Sequence, residues 1–396
     1  MIIKDVAIRR IIDSRGNPTV EADIKTSNGF GRAAAPAGAS TGTHEVVAWP
    51  DGKVSKGMEF AEKKVIPKLL GLSVDNQNEF DGLLKEIDGT GNFSVMGGNI
   101  SVAFSLACAK AAADSKEMSL FEHINKKKSY SIPAPMSNVL GGGAHAVGGT
   151  DIQEYLVTSF DEDITTAIEA NALVHKTVKS ILRDKFPNIA LGKGDEGAWV
   201  APLGNVEALE IVVKAADIVE QKTGVEIRPG LDMAASEFYH DGKYRYKEQT
   251  LTPEQQVDFV LGLIEEFNLH SVEDPLDQED FDSWASLTEQ TDALIIGDDL
   301  YVTNPERLQK GIDMKSTNSI LIKPNQIGTL TDTENAVKLA KKADMATVIS
   351  HRSGETTDTT ISHLGVAFGS HAIKTGIMGG ERIAKLNELV RISEQL

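Results

Sequence analysis

The chain has 396 residues, 41% of them hydrophobic and 25% charged, the make-up of an ordinary folded protein with enough length for a large core and an appended unit. Its 58 acidic residues outweigh 40 basic ones by 18 charges, which argues against nucleic acid or an anionic membrane surface as the main partner. One cysteine, Cys108, lies in the apolar stretch "SVAFSLACAKAAA" and rules out a disulfide framework; with no long apolar centre near the amino terminus, the sequence reads as cytoplasmic.

Residues 1 to about 45 alternate in the manner of strands, interrupted at Gly16-Asn17-Pro18 and Asn28-Gly29, so two hairpin turns are expected. From about 57 to 125, "GMEFAEKKVIPKLLGL" and "NISVAFSLACAKAAADS" carry apolar residues at helical spacing. The first 125 residues therefore read as a small α+β unit.

After about residue 130 the rhythm changes. "SVEDP", "ALIIGDD", "SILIKP", "ATVISH" and "AIKTG" recur every 22 to 27 residues or so, each followed by a helical pattern. Thr252-Pro253 and Asn304-Pro305 mark two of the helix starts. With "DIQEYLVTS", "IALGKG" and "EIRPGLDMA" the strand count reaches about eight, which predicts an α/β barrel over 126–396.

In such a barrel the chemistry sits at the carboxyl ends of the strands. The residues expected there are Glu154, Glu196, Asp232, Glu273 with Asp274, Asp298 with Asp299, Lys323, His351 with Arg352, and Lys374. Asp232, Glu273 and Asp298 would converge, and an all-oxygen set of this kind suits Mg²⁺; the alternative is three separate helix-capping acids. Lys323 and Lys374 are expected on the opposite side of the rim. Lys323 shares a strand face with Leu321, so it points the way a core residue does, and a partly desolvated amine gives up its proton more readily. Glu154 and Glu196 are candidate acids. A base, an acid and Mg²⁺ suit proton abstraction beside a carboxylate.

Two further stretches suit an anionic ligand. "SHRSG" brings Ser350, His351, Arg352 and Ser353 to a strand end, a set able to grip phosphate, or else an ordinary turn and cap. "PAGASTG" (36–42) is a loop able to close over a site and offer hydroxyls, or else an ordinary turn. "GKGDEG" (192–197) matches a dinucleotide fingerprint, but Asp195 and Glu196 stand where a pyrophosphate would lie.

In chain order, "DSRGNPTVEADI", "GASTGTHE", "EIDGTGN", "GGGAHAVGGTDIQEY", "GDEGAW", "GLDMAASEFY", "VEDPLDQEDF", "GDDLYVTNPERL", "LIKPNQIGTLT", "SHRSGETTDTT" and "GERIAKLNELVRI" resemble the enolase family from end to end, most nearly its archaeal members. The resemblance implies an α+β cap over 1–125 and a modified (β/α)8 barrel over 126–396 whose first elements depart from strict alternation. It also implies reversible dehydration of 2-phosphoglycerate to phosphoenolpyruvate. On that basis Lys323 is the base at C2, Glu196 the acid at the C3 hydroxyl with Glu154 beside it, and Asp232, Glu273 and Asp298 the ligands of a first Mg²⁺. Ser40 contributes to a second Mg²⁺; Arg352 and Ser353 hold the phosphate, Lys374 the carboxylate, and His145 and His351 line the site. Glu21 and Arg391 resemble an interface pair of a homodimer or larger homo-oligomer.

The chain departs from the common family pattern at Ala37, at Gly141-Gly142-Gly143, and in "TGIMGGER" after Lys374, which is one residue short. Two alternatives stay open at this level: a relative acting on another carboxylate such as an acid sugar, and an enolase-like scaffold that serves as a binding protein.

Overall fold

In the computed structural model, which describes every residue except Ser40, Lys128 and Val147, the chain opens with three antiparallel strands, β1 (Asp5–Ile12), β2 (Pro18–Lys25) and β3 (Phe30–Ala34), paired in the order β1–β2–β3. Gly16, at φ +79°, turns the first hairpin, and Asp13 Oδ1 accepts from the amides of Arg15 (2.9 Å) and Asn17 (2.8 Å) to hold it. The helix Gly98–Asp114 packs against this sheet and is buried on nearly every side, which explains its alanine-rich, uniformly apolar sequence. Contact is close enough that a Cβ on Gly31 would lie 2.0 Å from the Ala107 carbonyl oxygen. Only glycine lets β3 approach that helix.

The larger unit begins with β4 (Ala134–Gly141) and β5 (Glu154–Phe160), a hairpin pair, and then two helices, Ile164–Lys185 and Asn205–Thr223. Between those helices a two-residue hairpin, β6 (Gly192–Lys193) and β7 (Trp199–Val200), leans on the outside of β4. β8 (Glu226–Asp232) follows, then a small peripheral sheet of β9 (Tyr239–His240), β10 (Lys243–Arg245) and β11 (Thr250–Leu251). From there strands and helices alternate: β12 (Ser271–Glu273), β13 (Leu294–Gly297), β14 (Ser319–Ile322), β15 (Ala346–Ser350) and β16 (Ala372–Lys374). β16 pairs in parallel with β4 and closes an eight-stranded barrel of order β4–β5–β8–β12–β13–β14–β15–β16. The expected helix starts are present, with a Thr252/Gln255 capping box and Asn304 accepting from the amides of Glu306 and Arg307.

Met136, Leu156, Ile296, Leu321, Val348 and Ala372 fill the barrel interior, while Ile320 and Ile322 join the layer between strands and helices. Period-two alternation along β14 thus sends Leu321 inward and, two residues on, Lys323 to the inner rim.

Three expectations need correction. "IALGKG" is not a barrel strand; its glycines form one arm of the β6–β7 hairpin, and the eighth strand is β4, "APMSNVLG". Its proline, serine and asparagine disguised a strand buried on both faces. Glu154 does not end a strand. β5 runs antiparallel to both β4 and β8, so its first residue, rather than its last, reaches the active rim. Glu196 lies in the turn joining β6 to β7.

The first unit sits on that rim. Ala37 and Gly354 exchange backbone hydrogen bonds (2.7 and 2.8 Å), and Lys110 pairs with Asp358 at 2.9 Å. Among the described residues, no helix is long and apolar enough to cross a membrane.

Candidate active site

The carboxyl ends of β8, β12 and β16 deliver Asp232, Glu273 and Lys374, and the residues just past β13, β14 and β15 are Asp298, Lys323 and His351. In each case the last inward position is an ionisable residue. Glu154 comes from the start of β5 and Glu196 from the β6–β7 turn; His145 ends a single 3₁₀ turn after β4. Arg352 and Ser353 follow His351 before the chain meets Ala37.

The two lysines do not stand across from the acids as expected; they are among them. Lys374 Nζ lies 2.8 Å from Asp232 Oδ2, 2.7 Å from Glu273 Oε2 and 3.4 Å from Glu154 Oε1. Lys323 Nζ pairs directly with Asp298 Oδ2. The interior of an eight-stranded barrel is only wide enough for side chains to fill, so opposite walls meet. Burial alone would lower both amines. The carboxylates outweigh it, raising Lys323 and holding Lys374 well above the usual range. The expected easy loss of charge by Lys323 is therefore reversed while Asp298 faces it.

The acids divide by surroundings. Burial and Asp232 push Glu273 well up, and burial and Glu196 do the same to Glu154. Burial and Asp298 raise Asp299 to about 8. At Glu196 burial also opposes ionisation, but His351, His145 and Arg382 outweigh it and hold the carboxyl well below its usual range. His351, buried beside Arg382, is pushed down to about 4. At neutral pH its ring is uncharged; Nε2 faces Glu196 Oε2 at 3.3 Å but is not aligned for a hydrogen bond, and it has no other partner among the described residues. His145 Nδ1 lies 3.5 Å from Glu154 Oε1 and 3.9 Å from Glu196 Oε1.

On the outer side, Arg352 pairs with Glu45 of the first unit and donates to Asn325 Oδ1 at 3.0 Å. Ser353 Oγ is buried with no hydrogen-bond partner among the described residues. The remaining space between these groups is about 20 Å³, room for roughly one water.

For a cation, the donor chemistry of Asp232, Glu273, Asp298 and Asp299 fits a hard divalent ion: these are buried carboxylates, with Glu273 and Asp299 pushed up by burial and by the like charges that crowd them. Asp298, Asp274 and Asp299 form one group and His145, Glu154 and Glu196 another, each with ligand atoms within 4.8 Å of one another. Asp274 is engaged otherwise, since both its oxygens accept backbone amides, from Asp298 and Asp299, at 2.9 Å. Asp232 and Glu273 are bridged by Lys374. Ser40 lies outside the described residues.

Family models match nearly the whole chain: "Enolase, N-terminal domain" over residues 3–124 and "Enolase, C-terminal TIM barrel domain" over 129–396. The chain belongs to the enolase family. It is similar to the enolases of Methanosphaera stadtmanae and Methanothermobacter thermautotrophicus, each 51% identical over 403 aligned residues that cover 100% of this chain and 97% of the relative. The enolase of Thermoplasma acidophilum is 46% identical over 396 residues, covering 100% of this chain and 98% of the relative.

Within this enolase fold, the expected residues Glu154, Glu196, Asp232, Glu273, Asp298, Lys323, His145, His351, Arg352, Ser353 and Lys374 gather at one rim. Glu21 and Arg391 do not: Glu21 pairs with Arg9 at 2.6 Å on the first sheet, and Arg391 with Glu388 at 2.8 Å on the last helix. Sequence reasoning passed over Glu45 and Arg382. Both stood in quoted motifs, "GASTGTHE" and "GERIAKL", but nothing local to either reveals that it meets the "SHRSG" segment.

Proposed function

We propose that this enolase-family chain is a hydro-lyase that reversibly dehydrates 2-phospho-D-glycerate to phosphoenolpyruvate in a Mg²⁺-dependent reaction of glycolysis and gluconeogenesis. The observation that carries the reading is the meeting, on one rim, of a lysine beside a buried acid cluster, a carboxyl pair of opposed protonation, and a guanidinium next to an unpartnered buried hydroxyl.

The phosphate goes to Arg352 and Ser353, neighbours in sequence, the second with a buried hydroxyl; it must displace Glu45 to reach the guanidinium. Lys374 takes the substrate carboxylate. Asp232, Glu273 and Asp298 would hold one Mg²⁺ and Ser40 would contribute to a second, and the bound ions would neutralise the substrate carboxylate and the Asp298 charge that keeps Lys323 protonated. Lys323, having given up its own proton to solvent, removes the C2 proton. On the other face Glu154, whose raised carboxyl keeps its proton, passes that proton to the ionised Glu196, and Glu196 delivers it to the departing C3 hydroxyl, which leaves as water. His145 faces both acids, its Nδ1 3.5 Å from Glu154 and 3.9 Å from Glu196.

We also assign the protein to the cytoplasm and to a homodimer or larger homo-oligomer, with Glu21 and the exposed Arg391 as candidate interface residues. The test of the activity is the absorbance of phosphoenolpyruvate formed from 2-phosphoglycerate by the purified protein, with and without Mg²⁺. Absence of turnover at every metal concentration overturns the reading.

A further inference from the structure

Arg382 is fully buried, and none of the roles above uses it. It stands in the first turn of the helix Gly380–Ser393, just past the shortened "TGIMGGER" segment. Its Nη1 donates to the Arg352 carbonyl at 2.5 Å and faces His351 Nδ1 at 2.8 Å. Its Nη2 donates to the Ser353 carbonyl at 2.6 Å and to that of Asp195 at 3.4 Å. The charge partner is modest, Glu381 Oε1 at 3.4 Å from Nε. A buried guanidinium costs several kcal/mol to desolvate, so a place given over mainly to neutral acceptors asks for a reason.

The reason lies in donor and acceptor roles. A guanidinium has donors only and does not lose its proton in proteins. The 2.8 Å contact therefore makes His351 Nδ1 an acceptor, and the one N–H of the neutral ring must be on Nε2. Nε2 is the atom that faces Glu196. A proton on Nδ1 would set N–H against N–H. The tautomer of His351 is thus dictated from behind the ring, by a residue whose own hydrogen bonds go to backbone carbonyls and to His351.

We propose that Arg382 is a positioning residue for the hydroxyl-departure half of the reaction: it locks His351 in the Nε2–H tautomer, so that the ring presents its otherwise unpartnered N–H to Glu196, 3.3 Å away, and that carboxyl has a donor to turn to as it acts at the C3 hydroxyl. The inference rests on the enolase reading of this site. It predicts a split. At saturating substrate, loss of Arg382 should impair departure of the hydroxyl while sparing C2 proton removal, because Lys323 pairs with Asp298 and not with Arg382; any loosening of Arg352 and Ser353, whose carbonyls Arg382 also holds, would show in KM.

Two measurements test it. In the unaltered protein labelled with ¹⁵N-histidine, the His351 signals, assigned among nine histidines by their loss in His351→Gln, should show a bare Nδ1 and a protonated Nε2 from pH 6 to 8. A proton on Nδ1 overturns the proposal, and this arm needs no arginine variant to fold. In Arg382→Met, dehydration should fall about 100-fold, the lower edge of what a positioned acid contributes, with C2 exchange into deuterated solvent within about threefold of the unaltered rate. Arg382→Lys, which keeps a donor and a charge, should recover about tenfold of the loss. Dehydration and exchange falling together would assign Arg382 a structural role only and overturn the proposal. If the unaltered protein does not dehydrate 2-phosphoglycerate, the enolase reading has failed, while the nitrogen signals still decide the tautomer.

Discussion

Arg352 and Glu45 form a two-point fork across the seam between the first unit and the barrel, with Nη2 2.9 Å from Oε1 and Nη1 3.1 Å from Oε2. Arg352 is buried and Glu45 nearly so, and the geometry is that in which a guanidinium takes a phosphate. Glu45 thus holds the position of the ligand's anion. Glu45→Gln should bind inorganic phosphate about tenfold more tightly by calorimetry, a gain of about 1.4 kcal/mol. Equal or weaker binding would show that Glu45 does not compete for the guanidinium.

Lys323 and Asp298 make the second decisive pair. Lys323→Ala should lower the rate of C2 proton exchange by about 1,000-fold or more, within the range that a positioned base supplies. Mg²⁺ affinity should change by less than about threefold. Persistent exchange would move the base to another residue.

The acid cluster carries the expected metal dependence. Exhaustive chelation should abolish turnover, and Mg²⁺ alone should restore it. Asp232→Asn and Glu273→Gln should each raise the Mg²⁺ concentration needed for half-maximal rate at least about tenfold, because a lost carboxylate ligand is worth more than about 1.4 kcal/mol. Variants that saturate at the original concentration would remove these residues from the ligand set.

The seam also has its own pH dependence. Burial raises the Asp358 carboxyl, but Lys110 and Thr360 outweigh it and bring it to about 2, against 3.8 for the free group. A depressed carboxyl stabilises the fold above its unfolded pKa and loses that contribution as pH falls through the folded value. Asp358→Asn should therefore cost about 2 kcal/mol at pH 7, read from urea midpoints. The difference from the parent should shrink between about pH 4 and pH 2; a pH-independent difference would assign the cost to lost hydrogen bonds alone.

Much of this site was legible along the chain. Strands β12 to β16 stand out because each is a brief apolar run closed by charge, and β14 shows why: Leu321 and Lys323 share an inward face, so a core position at the wall becomes a catalytic position at the rim. β4 was hidden because its polar residues satisfy one another inside the fold; Asn171 Nδ2, from the helix Ile164–Lys185, bonds the Pro135 carbonyl at 2.8 Å and Ser137 Oγ at 3.0 Å. No periodicity within "APMSNVLG" announces that.

The amino-acid sequence by itself determined that β12 to β16 are strands, which of their residues face inward, and which polar types end them at the rim, because period and capping are local properties of the backbone. Only the tertiary structure decided who meets whom. Closure of β16 on β4 puts Lys374 between Asp232 and Glu273, and reversal of β5 turns the first residue of a strand into an active-rim residue. Folding the first unit over the rim sets Glu45 on Arg352, 307 positions away, and the last helix returns Arg382 to the back of His351. Such pairings depend on strand direction, barrel closure and the narrow barrel interior, and no local pattern encodes them.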